Sequence, residues 1–182
     1  MFSKKNSGMI ALLIFVAAAT RLFPHPPNMT PLGAMALFGS AYFAKKYWSV
    51  VIPLAALFVS NLVLNNVMYA QYYDGFVWFT PQTLWVYGAM VLVALLGMGL
   101  LKKVTAGRVV IGALAASLIF FLVTNMGSWL YDPIYTKDFN GLLQSYAAGI
   151  PFLRNSIIGN LVFSGALFGI YHFATQRKLQ TA

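Results

Sequence analysis

Long apolar runs, separated by short polar or basic stretches, dominate this chain. The runs comprise residues 8–23, 31–44, 48–70, 82–101, 109–131 and 150–173. Each of the last four holds about 20 residues or more, which at about 1.5 Å per residue is enough to cross a hydrocarbon core of about 30 Å as a helix. Only 8% of the residues are charged, whereas soluble domains have about a quarter. The sequence therefore predicts an all-α integral membrane protein, with residues 1–182 forming one transmembrane domain of six helices.

The charged residues predict how these helices are oriented. Nine of the twelve basic residues lie in the termini or in even-numbered loops: Lys4, Lys5, Lys45, Lys46, Lys102, Lys103, Arg108, Arg177 and Lys178. The three acids, Asp74, Asp132 and Asp138, lie in odd-numbered loops or at their edges. Under the positive-inside rule this pattern predicts six crossings of a bacterial cytoplasmic (inner) membrane, with both termini cytoplasmic. The net charge of +9 does not indicate nucleic-acid binding, because the basic residues are dispersed at helix ends.

The first loop, "FPHPPNMTP", is unusually rigid. Proline fixes φ and removes a backbone donor, so the four prolines of residues 23–31 predict a stiff lid, with His25 and Asn28 pointing into a site. The run at 31–44 would reach only about 21 Å as a helix. Either the loop before it enters the membrane or the segment is re-entrant, and a re-entrant segment would place Lys102, Lys103 and Arg108 outside. We therefore expect a crossing.

Polar residues concentrate in the outer halves of the first, third, fifth and sixth helices. A polar side chain in hydrocarbon needs a partner, so their shared depth predicts an outward-facing cup for a small polar molecule with a planar ring or an anionic group. The fourth helix has almost no polar residue past Trp85 and is predicted to face lipid. The predicted ligand-binding residues are Arg21, His25, Asn28, Asn61, Asn65, Trp78, Asn125, Ser128, Trp129, Arg154, Asn155 and Asn160.

Simpler explanations exist for each of these residues taken alone. Asparagine and serine often hold membrane helices together, and the arginines could reach outward to lipid headgroups. Tryptophans near helix ends often form an interfacial belt. The convergence of four helices at one depth favours the cup over these independent explanations.

Several kinds of chemistry are missing from the sequence. There is no G-x-x-x-x-G-K-[ST] ATPase motif, no H-E-x-x-H and no cysteine, so we expect no cofactor, no metal site and no enzymatic activity. A set of Ser128, His25 and Asp132 is the one conceivable catalytic constellation. Ion-coupled transporters usually carry ionisable residues inside their helices, and here the acids lie outside them. Coupling by the chain itself is therefore not expected.

Two stretches carry a resemblance to known proteins. "RLFPHPPNMTPLGAMALFGSAYF" and "SYAAGIPFLRNSIIGNLVFSGALFG" resemble signatures of a family of uncharacterised bacterial proteins proposed to act in transport. That family is similar in size and hydropathy to the substrate-binding S components of energy-coupling-factor (ECF) vitamin transporters. The resemblance implies capture of a micronutrient from outside and association with a transmembrane partner and two ATPases. It implicates residues 25–28, 74–78, 125–129 and 154–155 in binding.

One feature departs from S components. Many of them present A-x-x-x-A on the first helix for partner docking, and here Ala11 and Phe15 have that spacing. Ala36, Ser40 and Ala44 on the second helix are the predicted docking face instead. The sequence thus predicts a substrate-binding uptake subunit. The alternatives are a structural or assembly subunit of a membrane complex, a passive facilitator, or a membrane-embedded enzyme.

Overall fold

The computed structural model describes residues 7–180, with side chains for residues 7–176. Lys4 and Lys5 lie outside the described residues, as do the side chains of Arg177 and Lys178. The helices are α1 (Ser7–Ala19, continued by a 3₁₀ turn at Thr20–Leu22), α2 (Leu32–Tyr42), α3 (Trp48–Val63, continued by a π-helical turn at Leu64–Met68), α4 (Thr83–Leu100), α5 (Ala106–Tyr131) and α6 (Phe139–Gln180). No strand occurs in residues 7–180, which confirms the all-α prediction.

Four of these helices are long and apolar enough to cross a bilayer. They are α3 with its π-helical turn, α4, α5 and α6. The other two, α1 and α2, are shorter apolar helices. The protein is therefore membrane-embedded.

The sixth helix begins at Phe139, well before the predicted start at residue 150. Its first turn is capped by Asp138, whose Oδ1 accepts a 2.8 Å hydrogen bond from the Gly141 N–H. That bond, together with the Thr136 hydroxyl, lowers the pKa of the Asp138 carboxyl. The predicted segment contained Pro151 near its start, and the observed helix continues through this proline, because a helix bundle can tolerate the loss of the single backbone donor that proline removes.

The centre of the bundle is the short helix α2. It packs against α1, α3, α4, α5 and α6, and every residue from 31 to 40 is buried. Small residues make this possible. A methyl group at Gly97 of α4 would overlap the Ser40 hydroxyl, and one at Gly39 would lie 3.4 Å from Pro53 and Ser49 of α3.

This packing corrects the predicted docking face. Ala36 and Ser40 are each 1% exposed, because α3 and α4 already occupy the small-residue surface of α2. Only Ala44, just past the end of that helix, is exposed. The small residues on α2 serve packing within the chain, so they are not available to another protein.

Asn160 of α6 fixes the N-terminus of α2 inside the bundle. Its Oδ1 accepts a 3.1 Å hydrogen bond from the Ala34 N–H, and its Nδ2 donates to the Ser117 hydroxyl of α5 at 2.8 Å. The first N–H groups of a helix have no acceptor within that helix. Here the Asn160 side chain of α6 supplies an acceptor for the Ala34 N–H of α2. Gly33 allows the approach, since a Cβ there would lie 2.5 Å from Asn160 Oδ1.

The proline-rich loop runs down the side of α6 before α2 begins. Asn155 Nδ2 donates to the Pro27 carbonyl at 2.9 Å, and a Cβ at Gly159 would meet the backbone of Met29 at 3.1 Å. Positions 155 and 159 are separated by about 6 Å along a helix. The loop therefore enters the bundle beside α6 and leads the chain to the buried start of α2.

Basic residues cap helix ends at the opposite end of the bundle. Lys46 Nζ donates to the Ser40 carbonyl of α2 at 2.9 Å, and Arg108 Nη1 donates to the Leu100 carbonyl of α4 at 3.3 Å. A cation at the C-terminus of a helix is stabilised by the helix dipole. Lys46 and Arg108 thus stabilise the ends of α2 and α4.

Candidate functional site

A polar cavity opens at one end of the bundle, where α1, α3 and α5 end and α4 begins. It has two compartments, of about 380 Å³ and about 190 Å³. Asn28, Gln82, Val86 and Phe120 line both compartments, which therefore adjoin. The larger is also lined by Thr124, Asn125, Ser128, Asp132, Tyr135, Ala148, Gly149 and Phe152. The smaller is also lined by Arg21, Thr30, Leu32, Asn61, Asn65, Thr80 and Thr83.

Helical spacing explains why the polar groups converge. Asn61 and Asn65 lie four residues apart on one face of the end of α3, and Asn125, Ser128 and Asp132 form a similar stripe at the end of α5. Gln82, just before α4, donates from Nε2 to the Ser128 hydroxyl at 3.0 Å. The cavity therefore offers amides, hydroxyls, one guanidinium and one carboxylate.

Asn28 reaches both compartments from the proline-rich loop. It has a φ of 62° and is the one residue other than glycine with positive φ in the described chain, a conformation that asparagine tolerates better than most residues. His25 does not line the cavity. Its exposed ring lies beside its own loop, with Nδ1 3.0 Å from the Pro26 carbonyl. Of the two loop residues predicted to point into the site, Asn28 lines the cavity. The prediction for His25 is corrected, because its ring lies outside the cavity.

Half of the predicted ligand-binding residues line the cavity. They are Arg21, Asn28, Asn61, Asn65, Asn125 and Ser128. The other half line neither compartment: His25, Trp78, Trp129, Arg154, Asn155 and Asn160.

The residues outside the cavity have other surroundings. Trp78 is 58% exposed and packs against Phe76 with ring centroids 4.7 Å apart and the ring planes tilted by 60°. Trp129 Nε1 donates to the Thr136 carbonyl at 2.9 Å, tying α5 to the loop that follows it. The side chain of Arg154 is exposed. Asn155 and Asn160 hold the first loop and α2, which is the helix-joining role that asparagines commonly have in membranes.

Sequence reasoning missed Gln82, Thr83 and the aromatic wall formed by Phe120 and Phe152. The fourth helix was predicted to be largely lipid-facing, and 33% of it is buried. Its buried face carries Met90, Val93 and Ala94, and α4 packs against α2 and α5. In a membrane both lipid-facing and buried surfaces are apolar, so hydropathy could not separate them. The polar cluster "TPQT" at the start of this helix, residues 80–83, was the sequence signal that this end of α4 lines the cavity.

Among the residues that the structure describes, no group of three or more His, Cys, Asp or Glu side chains is arranged to hold a metal ion. In the same part of the chain no Lys or Arg forms an ion pair with an Asp. The charged groups of the cavity are therefore not paired with each other, and neutral hydrogen-bonding groups supply most of its polarity.

Comparison with known proteins gives one match. No curated protein and no solved structure matches the chain. A family described as "Family of unknown function (DUF6580)" matches residues 2–182. Because this match covers nearly the entire sequence, the chain belongs to the DUF6580 family of unknown function.

Proposed function

We propose that this protein is a substrate-binding membrane subunit that captures a small polar micronutrient from outside the cell, in the manner of an ECF S component. The observation that carries the proposal is the polar cavity, to which three helix ends and the first loop contribute side chains. The larger compartment, at about 380 Å³, falls within the range of about 300–1,000 Å³ typical of small-molecule sites. A structural or assembly subunit needs no such space, so the cavity favours capture over scaffolding.

We further propose six crossings, with the cavity facing outward from the cytoplasmic membrane. Asp132 lines the cavity, while Lys46 and Arg108 cap helices at the other end. This separation of charge supports cytoplasmic basic loops under the positive-inside rule. The entry of the first loop into the bundle supports counting α2 as a crossing despite its 11 residues.

Single cysteines test this topology, because the sequence contains none. In intact cells a cysteine replacing Lys46 or Lys103 should be shielded from a membrane-impermeant maleimide, and one replacing Asp138 should be labelled. Permeabilised cells provide the control, in which all three positions should react. Labelling of the Lys103 variant in intact cells would disprove the six-crossing arrangement.

Removing a cavity amide should remove the bound molecule. Asn125 lines the larger compartment, and Asn125→Leu replaces its amide with an apolar group of similar size. We expect native mass spectrometry of the detergent-purified wild type to reveal a co-purified small molecule whose occupancy falls at least tenfold in Asn125→Leu. A lost hydrogen bond that leaves a buried polar partner unpaired costs about 1–3 kcal/mol, and about 1.4 kcal/mol corresponds to tenfold.

The matched control for this experiment is Asn140→Leu. Asn140 is exposed in the first turn of α6 and lines neither compartment, so its replacement should leave occupancy unchanged. If Asn125→Leu and wild type carried the same molecule at the same occupancy, the cavity would not be the capture site.

The energy for uptake would come from separate proteins. The sequence has no ATPase motif, so we propose transmembrane and ATPase partners of the ECF type. The enzyme alternative gains no support, because Ser128 and Asp132 line the cavity but His25 does not. A passive facilitator remains the transport alternative, and the reconstitution experiment in the Discussion separates it from the proposal.

A further inference from the structure

The two compartments of the cavity differ in charge. The smaller one is lined by a single cation, Arg21, and by no acid. The larger one is lined by a single acid, Asp132, and by no cation. A bound molecule therefore meets a cationic side chain in one compartment and an anionic side chain in the other.

Arg21 is only partly satisfied by the protein. Its Nη1 donates to the Ser60 hydroxyl, while its Nε is buried without a hydrogen-bond partner. No described residue accepts a hydrogen bond from Nη2. Nη2 is therefore the guanidinium nitrogen left to donate to a carboxylate or phosphate in the cavity. Leaving a partly buried charge without a counter-ion is costly, which indicates that something else completes this site.

The neighbours of Arg21 supply no negative charge. Tyr69 and Tyr87 lie close enough to interact with it electrostatically, and Asn61 and Asn65 line the same compartment. None of these four side chains is a carboxylate, the group that commonly pairs with a guanidinium. Amide N–H groups can add hydrogen bonds to an oxyanion that the guanidinium holds.

Asp132 gives the site a direction. Its Oδ1 accepts a 3.0 Å hydrogen bond from the Ile134 N–H. The Lys137 ammonium donates to the Asp132 backbone carbonyl at 2.8 Å, but it forms no ion pair with the carboxylate and lines neither compartment. Among the residues that line the cavity, Arg21 attracts a negative ligand group and Asp132 repels it. An anionic end is thus favoured in the smaller compartment, and the larger compartment is left for the uncharged or hydrogen-bond-donating part.

We propose that the captured molecule carries an oxyanion, either a carboxylate or a phosphate, and that Arg21 binds this group in the smaller compartment. This inference rests on the proposed function and narrows it to an anionic class of substrate. The smaller compartment, at about 190 Å³, has room for such a group, since one water occupies about 30 Å³ of liquid.

Small anions test the site directly, before any substrate is known. The full chain, purified in an uncharged detergent free of phosphate, is unfolded by heat in sodium chloride, sodium acetate or sodium phosphate at constant ionic strength. Acetate or phosphate at about five times its Kd should raise the unfolding temperature of wild type by about 2–4 °C relative to chloride. Arg21→Gln should weaken the apparent affinity for that anion about tenfold or more, because hydrogen bonds to charged groups are strong.

Two further variants make the result specific. Arg154→Gln removes an exposed arginine that lines neither compartment and should keep the wild-type response to anions. Arg21→Lys keeps the charge but replaces the planar guanidinium with an ammonium group, and its anion affinity should fall between those of wild type and Arg21→Gln. If Arg21→Gln does not fold, weakened anion affinity in Arg21→Lys decides the question.

The site could instead hold the phosphate of a lipid headgroup, so a third arm adds dioleoyl phosphatidylglycerol to the detergent. Stabilisation by this lipid alone, lost in Arg21→Gln, would overturn the proposal of a soluble substrate. An unchanged anion response in the Arg21 variants, or no response in wild type, would overturn it too. A co-purified molecule that depends on Asn125 but lacks an oxyanion would overturn this inference and leave the proposed function intact.

Discussion

Replacement of Asn160 by leucine is expected to lower the free energy of unfolding by about 2–3 kcal/mol. The side chain is 3% exposed and joins α2 to α5 through the Ala34 N–H and the Ser117 hydroxyl. Leucine removes both bonds and leaves the Ala34 N–H buried without a partner. It also presses a branched carbon against Gly33, where the space is already filled. Thermal or SDS-induced unfolding of the purified protein measures the loss.

Ser117→Ala is the matched control for this change. It removes the bond between Asn160 and Ser117 but leaves the Ala34 N–H paired, and Ser117 donates its own proton to the Ala113 carbonyl of the same helix at 2.9 Å. Its cost should stay near the average of about 0.6 kcal/mol measured for side-chain hydrogen bonds in a membrane protein. If Asn160→Leu unfolded like wild type, α2 would not depend on this connection.

The second large expected effect concerns the free energy needed to accumulate the captured molecule. Reconstituted alone into liposomes, the protein should build no gradient of the molecule that co-purifies with it, because a tenfold gradient of a neutral solute needs about 1.4 kcal/mol. The chain offers no ATPase motif, and its three acids lie in loops or at helix ends. Accumulation should appear only after transmembrane and ATPase partners are added with ATP.

Three outcomes of this reconstitution separate the functions. Binding without passage supports a capture subunit, and equilibration without accumulation supports a passive facilitator. A gradient driven by protons or sodium through the protein alone would contradict the S-component proposal. Asp132 would then be the first coupling candidate, since it is the one acid that lines the cavity.

The sequence predicted the helices well where hydropathy and helix boundaries coincide. The fourth helix, predicted at 82–101, is Thr83–Leu100 in the structure, and the fifth, predicted at 109–131, is Ala106–Tyr131. The predicted start of α6 was wrong because the prediction followed the apolar run, which begins at residue 150. The helix itself begins at Phe139, in a more polar stretch that follows the Asp138 cap. Apolar periodicity could not predict that α2 lies at the centre of the bundle. All faces of α2 are buried, so its sequence has no polar face to alternate with an apolar one.

Half of the predicted ligand-binding residues line the cavity, and the sequence could not separate them from the other half. Asn61, Asn65 and Asn125 were found because polar groups in apolar helices need partners, and that argument holds for any such group. The argument does not say whether that partner is another helix or a molecule in a cavity. Asn160 satisfies the same rule by contacting α2 and α5, so an amide that holds helices together and an amide that faces a cavity look alike in sequence. The two kinds of amide differ only in the direction that they face, which for Asn160 depends on how α6 is rotated about its axis. The sequence does not indicate that rotation, because apolar residues surround Asn160 along the helix.

The bond between Ala34 and Asn160 joins residues 126 positions apart in the chain, and this has a consequence for biogenesis. A ribosome completes α2 early, yet the side chain that receives its first N–H emerges only with the last helix. Until then the newly inserted α2 lacks both its hydrogen-bond acceptor and the wall against which Gly33 packs. Nascent chains cut short before α6 would thus leave the Ala34 N–H without its acceptor, and such an unsatisfied helix end would mark the protein as unfinished for proteases and chaperones.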